Sequence, residues 1–211
     1  MRTRDELEDQ LDEDLAWRRV ELQSLLATAR AAKGIAQVGL CRAGVALLYA
    51  HWEGFAKHSL TSYLRYVSRR RLLHKELQPG FVALSVDSYM NRQSGLSSAR
   101  HRNMLTRRIL TCGDERAWIP AQEVSTSSNL NSEVCFDLLD TLGLDSAPFA
   151  TRAHLIDYKL LRARNEIAHG RYSAVAIGDY EELQHEVLLL IDTLRNIVLT
   201  AADTAAYRRG S

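Results

Sequence analysis

Leucines recur at helical spacing from the start of the chain: Leu7, Leu11, Leu15, Leu22 and the pair Leu25/Leu26. A stripe of this kind, with acids in its first turns, specifies one long amphipathic helix over residues 5–33, ended by Gly34. A second helix is expected over 38–70. There Cys41, Val45, Leu48, Trp52, Phe55 and Ser59 follow the i, i+4, i+7 rhythm, and Arg69–Arg71 fall in the last turn, where cations suit the helix dipole. Only 3 of 211 residues are Pro and 11 are Gly, which argues against a turn-rich β chain. Residues 77–98 contain Pro79-Gly80 and read as loop with some irregular helix, followed by a short helix near 99–111. Ser132 to Leu142 is a short amphipathic helix closed by Gly143. Residues 151–169 form another, ended by Gly170 in the manner of a left-handed C-cap. Asp179 could cap the last helix, which runs to about Tyr207. Its apolar face is broad: Leu183, Val187, Leu190, Leu194, Ile197 and Val198. No strand pattern survives. The expected fold is an all-α bundle of four to five main helices in a single domain, 1–211, with a basic, loop-rich insertion at about 72–131.

Several function classes fall away at once. No apolar run approaches the roughly 20 residues of a membrane span. The acidic start MRTRDELEDQLDED is unlike a secretory signal, so a cytoplasmic location is expected. Cys41, Cys112 and Cys135 are odd in number and widely spaced, and they suggest neither a disulfide framework nor a zinc site. Ser/His/Asp and Cys/His catalysis lack a supporting motif, and there is no Gly-rich phosphate loop. Trp17, Trp52 and Trp118 read as core anchors. His51, His58, His74, His101 and His154 read as packing or surface histidines.

Net charge is only +1, but it is segregated. Residues 1–21 carry 8 acidic and 4 basic side chains, and residues 109–150 carry 7 acidic and 1 basic. Between them, residues 57–108 hold 11 basic groups against 2 acidic, including Lys57, Arg65, Arg69, Arg70, Arg71, Arg92, Arg107 and Arg108. An excess of that size suits polynucleotide phosphates. It equally suits a solvated surface whose arginines pair with the acidic segments.

The segment HLIDYKLLRARNEIAHGRY carries the sharpest chemical signal. On an α-helical wheel begun at Ile156, Leu160, Ala163 and Ile167 fall within about 40° and form a core stripe. Arg164 lies at about 80°, Leu161 and Ala168 near 120–140°, Asn165 at about 180° and His169 at about 220°. This describes a second face, with a small apolar centre flanked by an arginine and by an asparagine–histidine pair. Packing on another copy of the same helix would bring two Arg/His sets together. A histidine can exchange a proton with a hydroxyl, and an arginine offers a fixed fork of donors to a phosphorane-like centre. With RNA as substrate such a pair needs no metal, because the neighbouring 2′-hydroxyl is the nucleophile. The bare Arg-x4-His spacing is uninformative, since Arg69 and His74 repeat it by chance.

ARNEIAHG (Ala163 to Gly170) resembles the signature of the HEPN superfamily of helical RNA-cleaving domains. With ALLYAHWEGFAK (Ala46 to Lys57) and SNLNSEV (Ser128 to Val134), the chain resembles a bacterial HEPN-like nuclease branch associated with toxin–antitoxin and other defence loci. The resemblance implies a metal-independent endoribonuclease without a cofactor, acting as a homodimer on RNA, with a cognate antitoxin or nuclease-like defence partner. By the same resemblance Arg164 would stabilise the transition state, His169 would act as general base or acid, and Asn165 would fill the polar position after the arginine. Glu53 would support the site, although an i, i+4 pair with Lys57 explains it equally well. Arg69, Arg70, Arg71, Arg107 and Arg108 are the candidate RNA-guiding residues. Where some relatives carry a modifiable tyrosine two positions after the histidine, this chain has Arg171, with Tyr172 one step later.

Two other readings compete. A di-iron bundle would use the Glu166/His169 and Glu182/His185 pairs, but the wheel turns the first pair away from the core. A non-catalytic dimeric adaptor or antitoxin would bind nucleic acid or a partner enzyme through the basic segment. Retention of both Arg164 and His169 favours catalysis.

Overall fold

The computed structural model describes residues 2–91, 98–120, 122, 124–126, 129–172 and 174–210. Arg92 and Ser128 lie outside these. The described residues are all-helical apart from turns and two isolated bridges, Leu73 with Arg116 and Leu77 with Arg208.

Helix α1 (Arg4–Ala31) begins where the Thr3 side chain accepts the Glu6 N–H at 3.1 Å, and it buries the stripe Leu7, Leu11, Leu15 and Leu22. Gly34, at φ +60°, makes the tight turn into α2 (Gly34–Ser68). Helix α2 is the central element, lying against α1 and against α8 (Ile177–Asp203), so it has buried residues on several sides. At Gly44 an added Cβ would sit 2.4 Å from the Tyr180 ring, which fixes how closely α2 and α8 approach. Ala176, not Asp179, is the N-cap of α8; Asp179 lies in its first turn, where a carboxylate still favours the dipole.

The middle of the chain is more regular than its composition suggests. Residues expected as loop with some irregular helix form a regular helix, α3 (Pro79–Asn91), which buries Phe81, Ser85, Val86 and Met90. Pro79 starts this helix, where its missing N–H has no intrahelical partner to lose, so Pro-Gly acts here as an initiator. Helix α4 (Ser98–Thr111) has no buried residue and lies on α3 through Met104 and Leu105, beside Val86, Met90 and Cys112. The buried His74 holds the loops together: its Nδ1 lies 2.8 Å from the Glu115 carbonyl and its Nε2 3.0 Å from Ser85 Oγ.

Of the three tryptophans only Trp52 is a core anchor, packed 5.9 Å from Phe149. Trp17 is 49% exposed and Trp118 52% exposed, against expectation. Trp17 sits at the seam of α1 and α2, its ring under Arg18 and beside His51, with Nε1 donating to Asp14. Trp118 follows the bridge residue Arg116 in extended chain, whose alternation sends Ile119 into the core and Trp118 outward.

The segment expected as one helix over 151–169 is composite. Helix α5 (Ser132–Thr141) is followed by α6 (Ala147–Ala150), a π-helical segment Leu155–Arg162, and α7 (Ala163–Ala168). Bonding to i+5 aligns residues five apart, so Leu155 and Leu160 both reach the core along with Ile156. Asp157 accepts from Ser132 N–H at 2.7 Å and Ser132 Oγ at 2.6 Å, which ties the π segment to the start of α5.

Candidate active site

Helix α7 is short, and its termination is built into the sequence. Gly170, at φ +72°, donates to the Ile167 carbonyl at 3.0 Å, and Arg171 N–H donates to the Glu166 carbonyl at 2.9 Å. This is a Schellman turn, and it sets His169 at the C-cap of α7 with its side chain exposed. Arg42 of α2 clamps the turn from outside, its Nη2 donating to the Arg171 carbonyl at 2.9 Å and its guanidinium facing Tyr172.

Arg164 and His169 leave α7 in different directions, as the wheel indicated. Arg164 is half-buried against α2, its guanidinium carbon 4.1 Å from the centre of the Tyr49 ring. Tyr49 is itself buried, and its hydroxyl accepts the Leu130 N–H at 2.7 Å. Burial pushes the Tyr49 phenol up, while Arg164 opposes the shift and Glu53 adds to it. Glu53, one turn along α2, accepts from Thr126 Oγ1 and lies 3.3 Å from Lys57 Nζ. The pairing with Lys57 is therefore present, and Glu53 also lies within electrostatic reach of Tyr49. Three separated stretches of sequence meet here: Tyr49 and Glu53, Thr126 and Leu130, and Arg164.

His169 and Asn165 share a surface depression of about 330 Å³ with Asp157, Arg162, Glu166 and Arg171. Its charged rim is partly paired, with Arg162 Nε 3.1 Å from Glu166. Ala168 is exposed, and Leu161 lines the depression, as expected of the outward face, while also packing against the core. Glu182 pairs with Lys159 at 3.6 Å, and among the described residues no group of three or more His, Cys, Asp or Glu side chains is placed to hold a metal ion.

The basic residues lie elsewhere. Arg69 and Arg71 are exposed at the far end of α2, with Arg71 at φ +53°, and Arg70 stacks on Tyr66 at 4.1 Å. Twenty residues of helix separate Arg69 from Tyr49, or about 30 Å. On α4, Arg107 is exposed, while Arg108 pairs with Glu115 at 2.7 Å and stacks on Tyr89 at 4.7 Å. The acidic stretch after α4 thus neutralises Arg108, and Lys75 through Asp114, whereas Glu8 and Asp12 of the N-terminal acids turn to Arg195 of α8.

A family model described as HEPN_MAE_28990-like HEPN matches residues 7–207. The chain belongs to the HEPN family. Neither the curated proteins nor the solved structures contain a match to it. HEPN domains are often RNA-acting and often dimeric, and the all-helical architecture agrees with the HEPN fold. Among the described residues no helix of this HEPN chain is long and apolar enough to cross a membrane. Tyr49, Arg42 and Asp157 were missed in the sequence. Tyr49 had a usable signal, since it lies four residues before Glu53 inside ALLYAHWEGFAK and so shares its helix face.

Proposed function

We propose that this HEPN protein is a metal-independent endoribonuclease whose site is completed by two copies of α7 in a homodimer. The observation that carries the reading is the division of labour around RNEIAHG. Arg164 is held in fixed orientation on Tyr49, and His169 stands exposed at a Schellman turn on the rim of a polar depression. A preorganised cation and an accessible imidazole are what in-line cleavage of RNA requires. His169 takes the 2′-hydroxyl proton as that oxygen attacks phosphorus. A 2′,3′-cyclic phosphate forms, and the 5′-oxygen leaves with a proton from the second imidazole of the pair. Arg164 meets the extra negative charge on phosphorus, Asn165 supplies a neutral hydrogen-bonding group, and Glu53 fixes the α2 side of the site. The exposed Ala168 leaves room for close approach of a second α7. Arg69–Arg71 and Arg107 guide the strand, and a toxin or defence role with a cognate inhibitor fits the signature.

The test is cleavage of RNA in EDTA, with product ends mapped. Cleavage is expected to persist under chelation, to spare DNA, and to vanish in His169→Ala while light scattering still reports the dimer. Loss of activity on chelation, or an alanine variant that cuts like the parent, refutes the mechanism. RNA binding by the parent without cleavage would transfer the case to the adaptor reading.

A further inference from the structure

A second polar concavity lies on a different face of α2. Gly54, Lys57, His58, Thr61 and Arg65 fall within an arc of about 100° on that helix, and Arg18 of α1 reaches across to them. Together they line a pocket of about 310 Å³. The charged residues that line it are cations, with Asp14 paired to Arg18 and Glu53 to Lys57 from outside the lining.

The pocket is constructed, as three features show. Gly54 makes room for the Arg18 guanidinium, since a Cβ there would sit 3.0 Å from Nη1 and 3.2 Å from Nη2. Arg18, with only 9% of its side chain exposed, is held by Asp14, Nε to Oδ2 at 2.8 Å and Nη2 to Oδ1 at 3.2 Å, and by His51, whose carbonyl oxygen and Nδ1 both lie 3.3 Å from Nη1. Nε2 of His58 is buried and has no hydrogen-bond partner among the described residues. Thr61 Oγ1 already accepts the Val124 N–H at 3.0 Å, so its hydroxyl hydrogen is left to donate. Donors therefore converge from two helices and from successive turns of α2, an arrangement suited to a tetrahedral oxyanion better than to a planar carboxylate.

We propose that this pocket binds a phosphate group. Tyr49, and with it Arg164, lies about 140° around α2 from Gly54, so the pocket faces away from Arg164 and meets the cleavage site only through the Lys57–Glu53 pair; the inference does not depend on the ribonuclease reading. The phosphate belongs either to a polynucleotide backbone or to a small phosphorylated molecule.

Isothermal titration of the full chain with inorganic phosphate, at ionic strength balanced with chloride, is expected to show one saturable site. The Lys57→Gln/Arg65→Gln variant should weaken it roughly tenfold or more, the loss expected for two charge-assisted contacts, while the protein still melts in one cooperative step. His169→Ala should bind phosphate like the parent, which separates this test from that of cleavage. Gly54→Ala, by displacing Arg18, should weaken binding as well; should it fail to fold, the double variant decides. Labelled single-stranded DNA, which lacks the 2′-hydroxyl and stays intact, identifies the source. Displacement by phosphate means a polynucleotide backbone, and saturable phosphate binding without displacement means a small phosphorylated ligand. Absence of saturable heat in the parent, or equal affinity in the double variant, overturns the proposal.

Discussion

Tyr49 does two separable things, and two substitutions separate them. Tyr49→Phe keeps the ring under Arg164 but removes the oxygen that accepts the Leu130 N–H at 2.7 Å. Leu130 is fully buried, so its amide is left without a partner at a cost of about 1–3 kcal/mol. For a chain of this length that lowers the melting temperature by about 2–12 °C. Tyr49→Leu removes the ring too, adding the lost cation–π contact of about 0.5–2 kcal/mol. The functional consequences should diverge more sharply. With its support intact, Arg164 in the phenylalanine variant should keep most of the single-turnover cleavage rate per folded molecule. In the leucine variant the guanidinium is free to swing, and cleavage should fall by roughly 10²–10³, as when one preorganised donor to a transition state is lost. Thermal melts and single-turnover assays on both proteins check this. A leucine variant that melts and cleaves like the parent would show that the ring does not hold Arg164.

Three further outcomes follow from the same coordinates. Gly80→Ala places a Cβ 1.9 Å from the Thr141 carbonyl oxygen, so α3 and α5 must part; a loss of about 1–3 kcal/mol or more is expected in urea unfolding, and an unchanged midpoint would contradict this packing. Burial and the adjacent Arg18 hold His51 below the ordinary histidine value of 6.5, against the opposing pull of Glu21 and Asp14. The unfolded chain then binds a proton that the folded one refuses, so stability should fall as pH drops through that value, and the fall should be shallower in His51→Gln. Equal pH slopes for the two proteins would dismiss the role of His51. Neutralising Arg69 and Arg71, or Arg107, should weaken RNA binding and flatten its dependence on salt, as measured by fluorescence anisotropy; an unaltered slope would remove those residues from the RNA path.

The long helices were legible because their apolar residues repeat over many turns, so α1, α2 and α8 were marked by Leu7–Leu22, Cys41–Phe55 and Leu183–Val198. Helix α3 was not, since Pro-Gly is read as a break unless its place at the first turn is known, and only the Thr141 carbonyl against Gly80 reveals that place. Trp17 and Trp118 were misplaced because hydrophobicity alone does not tell a core ring from one lying along a seam. At the candidate site the identity of Arg164, Asn165 and His169 could be read from their motif, and the opposite directions of Arg164 and His169 from the helical period. The partner of Arg164 could not, because Tyr49 and Leu130 meet it only through tertiary packing.

The wide turn at Leu155–Arg162 acts as a phase setter between two fixed points, Asp157 anchored to Ser132 and Arg164 seated on Tyr49. Deleting one residue between them would turn the rest of the segment by roughly a quarter turn, carrying the guanidinium off its seat while every letter of RNEIAHG survived. Chains with a perfect motif but a different spacing back to the aspartate should therefore be inert, and the length of that interval is as diagnostic of a working site as the motif itself.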